Sequence, residues 1–186
     1  MNRSRRELLR AASALGVVLA AGGASAQARG QAYKTVGWDD LIPADWDPLA
    51  VLKAADLDPG KIGEGSAAEL EASRKLREIW DAAPARADLQ GARIRLPGYV
   101  VPLEMSQGSI REFLLVPYFG ACIHVPPPPA NQIVLVRLDK PAALQTMDAV
   151  WVWGELGVQR SRTEWGLSGY SLAAKGTSAY RDKPTR

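Results

Sequence analysis

One cysteine and one histidine occur in the 186 residues. A single thiol excludes an internal disulfide and every all-cysteine zinc or iron–sulfur cage built by one chain. A single imidazole likewise excludes a multi-histidine metal site within one chain. The phosphate-loop pattern G-x-x-x-x-G-K-[ST], the zinc-protease pattern H-E-x-x-H and the nucleophile-elbow pattern G-x-S-x-G occur nowhere in the sequence. The composition itself is ordinary, with 47% hydrophobic and 23% charged residues. That balance argues against wholesale disorder, and the length predicts one domain.

The N-terminus reads Ser4-Arg5-Arg6-Glu7-Leu8-Leu9-Arg10, followed by a mildly apolar stretch over residues 11–23 and by Ala24-Ser25-Ala26. A basic start, a short apolar centre and an A-x-A site form the pattern of a cleavable export signal. The apolar stretch falls short of the roughly 20 residues that span a bilayer, so the chain does not read as an integral membrane protein. The Ser-Arg-Arg-x-Leu-Leu-Arg run resembles a twin-arginine signal, which implies export of a folded chain to the bacterial periplasm. No cysteine stands at the cleavage site to carry a lipid anchor. Cleavage after Ala26 removes four of the 23 basic residues and one of the 20 acidic ones, leaving 19 of each. The precursor charge of +3 thus belongs to the signal, and a basic footprint for nucleic acid is missing from the remainder.

Residues 27–86 read as a loop-and-helix region. Gly37-Trp38-Asp39-Asp40-Leu41-Ile42-Pro43 and Asp45-Trp46-Asp47-Pro48-Leu49 are turn-rich with isolated large aromatics. Ser66-Ala67-Ala68-Glu69 has the form of a helix capping box, and Leu70, Leu76, Ile79, Trp80 and Ala83 follow at helical spacing until Pro84. The spacing predicts a helix over about 67–83. From residue 87 to 180 the texture is β. Residues 92–96 and 98–104, separated by a turn, are followed by strands near 112–117, 132–138, 149–154 and 170–174. Short strands with glycine-rich turns predict a mostly β protein with an N-terminal helix, built as a small OB-like β-barrel. Residues 181–186 read as a frayed tail. Trp151 and Trp153 share one strand face, either as a stacking platform or, as we favour, with one face of the strand in the core and the other under the 67–83 helix.

The chemistry gathers in one segment, Gly120-Ala121-Cys122-Ile123-His124-Val125-Pro126-Pro127-Pro128-Pro129-Ala130-Asn131-Gln132. Residues two apart in extended backbone point to one face, so Cys122 and His124 can converge. Three readings follow. The pair can bind a soft or borderline cation, zinc or copper, which suits thiolate and imidazole. Two chains in a homodimer would together supply a tetrahedral Cys2His2 set. Alternatively, His124 activates Cys122 in a thiol-dependent enzyme. In the third reading both side chains are merely buried. Glu104, Glu112 and Asp148 are carboxylates near strand ends that could complete a metal site. Pro126, Pro127, Pro128 and Pro129 form a stiff rim. With Asn131 and Gln132, they are the candidate partner-binding residues of a non-metal interaction module.

Leu96-Pro97-Gly98-Tyr99-Val100-Val101-Pro102-Leu103-Glu104, the Cys122 segment with the residues leading into it from Glu112, Trp151-Val152-Trp153-Gly154 and Gly169-Tyr170-Ser171-Leu172 together resemble a bacterial family catalogued as a domain of unknown function. The likeness covers about residues 88–180. Members are secreted or lipid-anchored, and some are encoded beside ABC-transporter components and proteins linked to zinc uptake. The resemblance implies a periplasmic accessory or metal-handling role; the Cys122–His124 pair points to metal binding for a transport or envelope partner rather than to turnover.

Overall fold

The computed structural model describes residues 32–57, 67–106, 108–121 and 127–181. Residues 1–26, read in the sequence as an export signal, Ser66 of the predicted capping box, and Cys122, His124 and Pro126 lie outside the described residues. No described helix is long and apolar enough to cross a membrane.

Strand β1 (Lys34–Thr35) leads through a 3-10 turn (Asp39–Leu41) to helices α1 (Pro48–Ala54) and α2 (Ala67–Ala82). The strands β2 (Arg93–Ser106), β3 (Ser109–Val116), β4 (Val134–Ala142) and β5 (Ala149–Gly157) follow. A short hairpin of β6 (Ser161–Thr163) and β7 (Gly166–Ser168) then precedes β8 (Tyr170–Ala179). Five strands close a ring in the order β2-β3-β4-β8-β5 and back to β2. Only β4 and β8 run parallel within that ring. This is the Greek-key arrangement of a small OB-like barrel, as the strand spacing predicts.

Two local expectations are corrected. Residues 45–49 read as a turn, but they open α1. The Asp47 side chain accepts a hydrogen bond from the Leu49 N–H at 2.8 Å, and Pro48 occupies the first helical turn. An acidic N-cap and a following proline satisfy a helix start as well as a turn. Pro97-Gly98 also reads as a turn, yet β2 runs through it unbroken. Its first half, Arg93 to Tyr99, pairs with β5, and from Tyr99 onward it pairs with β3. Gly98 sits at that change of partner. A Cβ there would lie 2.7 Å from Leu115 Cγ and 2.8 Å from the Val116 carbonyl oxygen. Absence of a side chain is what lets one strand bend into both sides of the barrel.

Alternation along β3 and β4 builds two cores. Phe113, Leu115, Val134 and Val136 fill the barrel interior with residues such as Val152 and Leu172. Leu114, Val116 and Leu135 face outward and are buried under Ala121 and Ile133, with Met147 and Trp165 at the margin. Continuous apolar runs in these strands therefore mark sheet covered on both faces. Helix α2, which ends one residue short of its predicted range, buries Leu76 and half-buries Trp80.

The N-terminal layer is tied to the barrel by directed polar contacts. The Tyr170 hydroxyl, on a fully buried side chain, donates to the Leu41 carbonyl at 2.7 Å and accepts from the Arg86 N–H at 2.7 Å. Asn131 donates to the Pro84 carbonyl at 2.9 Å, Arg160 to that of Ala83 at 2.6 Å, and the Trp38 indole to that of Pro97 at 2.8 Å. Burial pushes the Tyr170 phenol above its ordinary value, and the Arg86 N–H offsets this only in part.

Two stability measurements follow. Gly154 lies at the β5–β8 irregularity, where a Cβ would come within 2.2 Å of the Ala173 carbonyl oxygen. Gly154→Ala should therefore cost about 3 kcal/mol or more in urea unfolding. A change within about 0.5 kcal/mol would contradict the close approach. Tyr170→Phe should cost about 1–3 kcal/mol, because the Leu41 carbonyl loses its donor and the Arg86 N–H its acceptor. A folded-state value above the unfolded one makes the phenol's contribution complete below about pH 10 and lost as pH rises through the folded value. The parent should lose more stability than Tyr170→Phe between about pH 9 and 11. Parallel decline of the two proteins would contradict this.

Candidate functional site

A cleft of about 820 Å³ lies where the helical layer meets the segments flanking the Cys122 region. Helix α2 contributes Ser73, Leu76, Arg77 and Trp80, which share one face at three- and four-residue spacing. The Asp47-capped start of α1 brings Leu49 and Leu52 to the same cleft, just after Trp46. Trp46 meets Trp80 edge-on, with ring centroids 6.4 Å apart. Trp38 completes a set of three indoles. Polar side chains are few, namely Asp39, Ser73, Arg77 and Gln132 among wall residues that are otherwise aromatic, aliphatic or proline. The walls favour a ligand with flat or apolar surfaces, and the polar groups can orient it.

Both flanks of the Cys122–His124 segment belong to this cleft. Pro117 and Tyr118 line it on the way in, and Pro127, Pro128 and Pro129 line it on the way out. Ala121 is anchored in the outer core. The Gly120 N–H donates to the Met147 thioether sulfur at 3.1 Å. Met147 itself holds a φ of 64°, and its N–H donates to the Val100 carbonyl at 2.7 Å. A non-glycine residue in the left-handed region is uncommon, and here it seats the thioether beside the entry to the Cys122 segment.

The other sequence candidates divide between structure and surface. Pro128 is buried, and Pro127 and Pro129 are half-buried. Asn131 is fully buried and bonds inward to Pro84. Gln132 lines the cleft and donates to the Trp38 carbonyl at 2.8 Å. Asn131 and Gln132 thus brace the rim from within. Glu112 is held by Arg137 on β4 at 2.5 Å, and Asp148 accepts from the Gln145 N–H at 2.8 Å. Glu104 stands exposed on β2. Among the described residues no three His, Cys, Asp or Glu side chains gather as a metal-ligand set. Trp151 and Trp153 do not lie under α2 as expected. Trp151 stands against Tyr180 at 5.2 Å with the Arg95 guanidinium 3.9 Å over its ring, and Trp153 fills the space left by Gly176.

OB-type barrels commonly bind on the face of their second and third strands. In this chain those are β3 and β4, and their outer face is filled by the second core. The open surface has moved to the aromatic cleft. In the sequence Trp38 and Trp46 stand as isolated aromatics, and Trp80 falls on the predicted helix. Their convergence is tertiary, and its one local signal is the density of tryptophan before the barrel.

Residues 38–179 match DUF3299, a family described as proteins of unknown function. The fold is similar to the crystal structure, at 2.45 Å resolution, of a DUF3299 family protein from Pseudomonas aeruginosa PAO1. The two chains are 35% identical with a TM-score of 0.62, and the match covers 82% of this chain and 99% of the other. No curated protein matches the sequence. The chain belongs to the DUF3299 family.

Proposed function

We propose that this DUF3299 member is an exported metal-binding accessory protein whose Cys122 and His124 hold zinc or copper for an envelope or ABC-transport partner. One observation carries the reading. The only thiol and the only imidazole of the chain are two residues apart, on a segment whose two flanks line the same cleft. Thiolate and imidazole suit soft and borderline cations. Proline-fixed backbone on the C-terminal flank restricts how that segment can rearrange. The basic start, apolar centre and Ala24-Ser25-Ala26 site support export to the periplasm with cleavage after Ala26.

Two ligands do not close a site. Glu112 and Asp148 are already engaged, so the remaining positions fall to Glu104, to water, to a partner protein or to a second copy. Two copies would supply two thiolates and two imidazoles, a complete tetrahedral set. Such a site can give up its metal when the chains separate, which suits delivery.

Competition against a chelator of known affinity tests the reading on mature protein with Zn²⁺ and with Cu⁺. The parent should retain metal that a Cys122→Ser, His124→Ala double variant loses, with an affinity at least about 100-fold higher. Equal retention by the two proteins would overturn the assignment. A ratio of one metal per two chains would identify the shared site.

A further inference from the structure

Among the described residues, the aromatic cleft carries indole donors with no bonded acceptor. The Trp38 indole N–H is committed to Pro97. The Trp46 and Trp80 side chains line the cleft half-buried, and among the described residues their indole N–H groups donate to nothing. A tryptophan side chain can only donate, so each of these N–H groups is open to an acceptor from a ligand. Arg77 adds a guanidinium on the same cleft with no ion pair among the described residues. Its neighbour Arg74 is paired with Glu71, and Arg86 with Asp88. Asp39 provides one carboxylate on the cleft. The cleft therefore offers flat apolar surfaces, two indole donors and one charge of each sign.

We infer that the cleft receives an extended, proline-rich segment of a partner protein that carries an acidic residue for Arg77 and a basic one for Asp39. Polyproline II backbone has no internal hydrogen bonds and presents carbonyls outward, and its prolines lack an N–H that would need an acceptor. Such a segment matches a donor-rich aromatic groove, and its preformed shape lowers the cost of ordering it. The volume of about 820 Å³ suits one stretch of chain. Of the residues lining the cleft, Leu49 is 74% exposed and Tyr118 42%, so part of its apolar wall is open to a partner. This inference turns round the expectation that the chain's own prolines dock into a partner's aromatic groove. Pro127, Pro128 and Pro129 instead wall a groove of their own chain. The inference stands independently of metal binding.

The test uses mature protein and a fluorescently labelled, end-capped peptide of eight prolines flanked by one glutamate and one arginine, read by anisotropy. A glycine–serine peptide of equal charge and length serves as control, and dodecanoate serves as an apolar anion. Saturable binding of the proline peptide is expected. It should weaken about tenfold or more in Trp80→Ala and in Trp46→Phe, which keeps a ring but loses the N–H. Arg77→Glu should weaken it too, with recovery when the peptide glutamate is replaced by lysine. Circular dichroism and unfolding midpoints matching the parent establish that the variants fold. The Cys122→Ser, His124→Ala variant should bind the peptide like the parent, which separates this result from the metal assignment. Lack of saturable binding, equal binding of the glycine–serine peptide, or displacement of the label by dodecanoate at lower concentration than by unlabelled proline peptide would each overturn the inference.

Discussion

One buried hydroxyl organises the relation between the two halves of the chain. Tyr170 begins β8 inside the barrel, and its oxygen bonds backbone on both sides of the helical layer, at Leu41 before α1 and at Arg86 after α2. Everything between these two points is a loop of chain whose ends converge on a single phenol. Asn131, Arg160 and Trp38 reinforce the same seam through the Pro84, Ala83 and Pro97 carbonyls. Loop backbone packed against a barrel needs partners for its polar groups, and side chains of the barrel and its connections provide them. The aromatic cleft exists because this seam holds Trp38, Trp46 and Trp80 against the connection between β3 and β4.

The barrel imposes the second constraint. Bending of β2 at Gly98 lets one strand serve β5 and β3, and close approach at Gly154 lets β5 meet β8. Closure removes free sheet edges from the ring, while the long β3–β4 connection folds back over the outer face. That connection has two tasks. Ala121 and Ile133 cover the second core, and the prolines between them wall the cleft. The Cys122–His124 segment is thus part of a connection that is pinned at both ends by packing. In functional terms, the residues on either side of the Cys122–His124 segment line the proposed peptide groove.

Much of this architecture was legible in the sequence wherever a local rule had no rival. Glu69 through Ala83 carry a helical period with a stop at Pro84, and the helix ends within a residue of that reading. Alternation from Arg93 onward announced strands, and the barrel class followed from their number and spacing. Legibility failed where one signal served two structures. Asp47-Pro48 suits a turn or a helix start, and the choice was made by Leu52 finding a buried place. Pro97-Gly98 punctuates most chains, but barrel closure needs the bend to remain a strand. Tertiary facts had no local trace. Nothing near Tyr170 announces its bonds to residues 129 and 84 positions away, and three tryptophans spread from 38 to 80 hint at their meeting only by their density before the barrel. The two-residue spacing of Cys122 and His124 is visible in the sequence, and these two residues lie outside the described part of the structure.

The central proposal is that Cys122 and His124 together hold a cation. X-ray absorption at the metal edge, on mature protein loaded with Zn²⁺, reads the ligands directly. The account predicts a mixed first shell, with sulfur at about 2.3 Å and nitrogen at about 2.0–2.1 Å, and loss of the sulfur shell in Cys122→Ser. A first shell of oxygen and nitrogen alone, or a spectrum indifferent to Cys122→Ser, would contradict it.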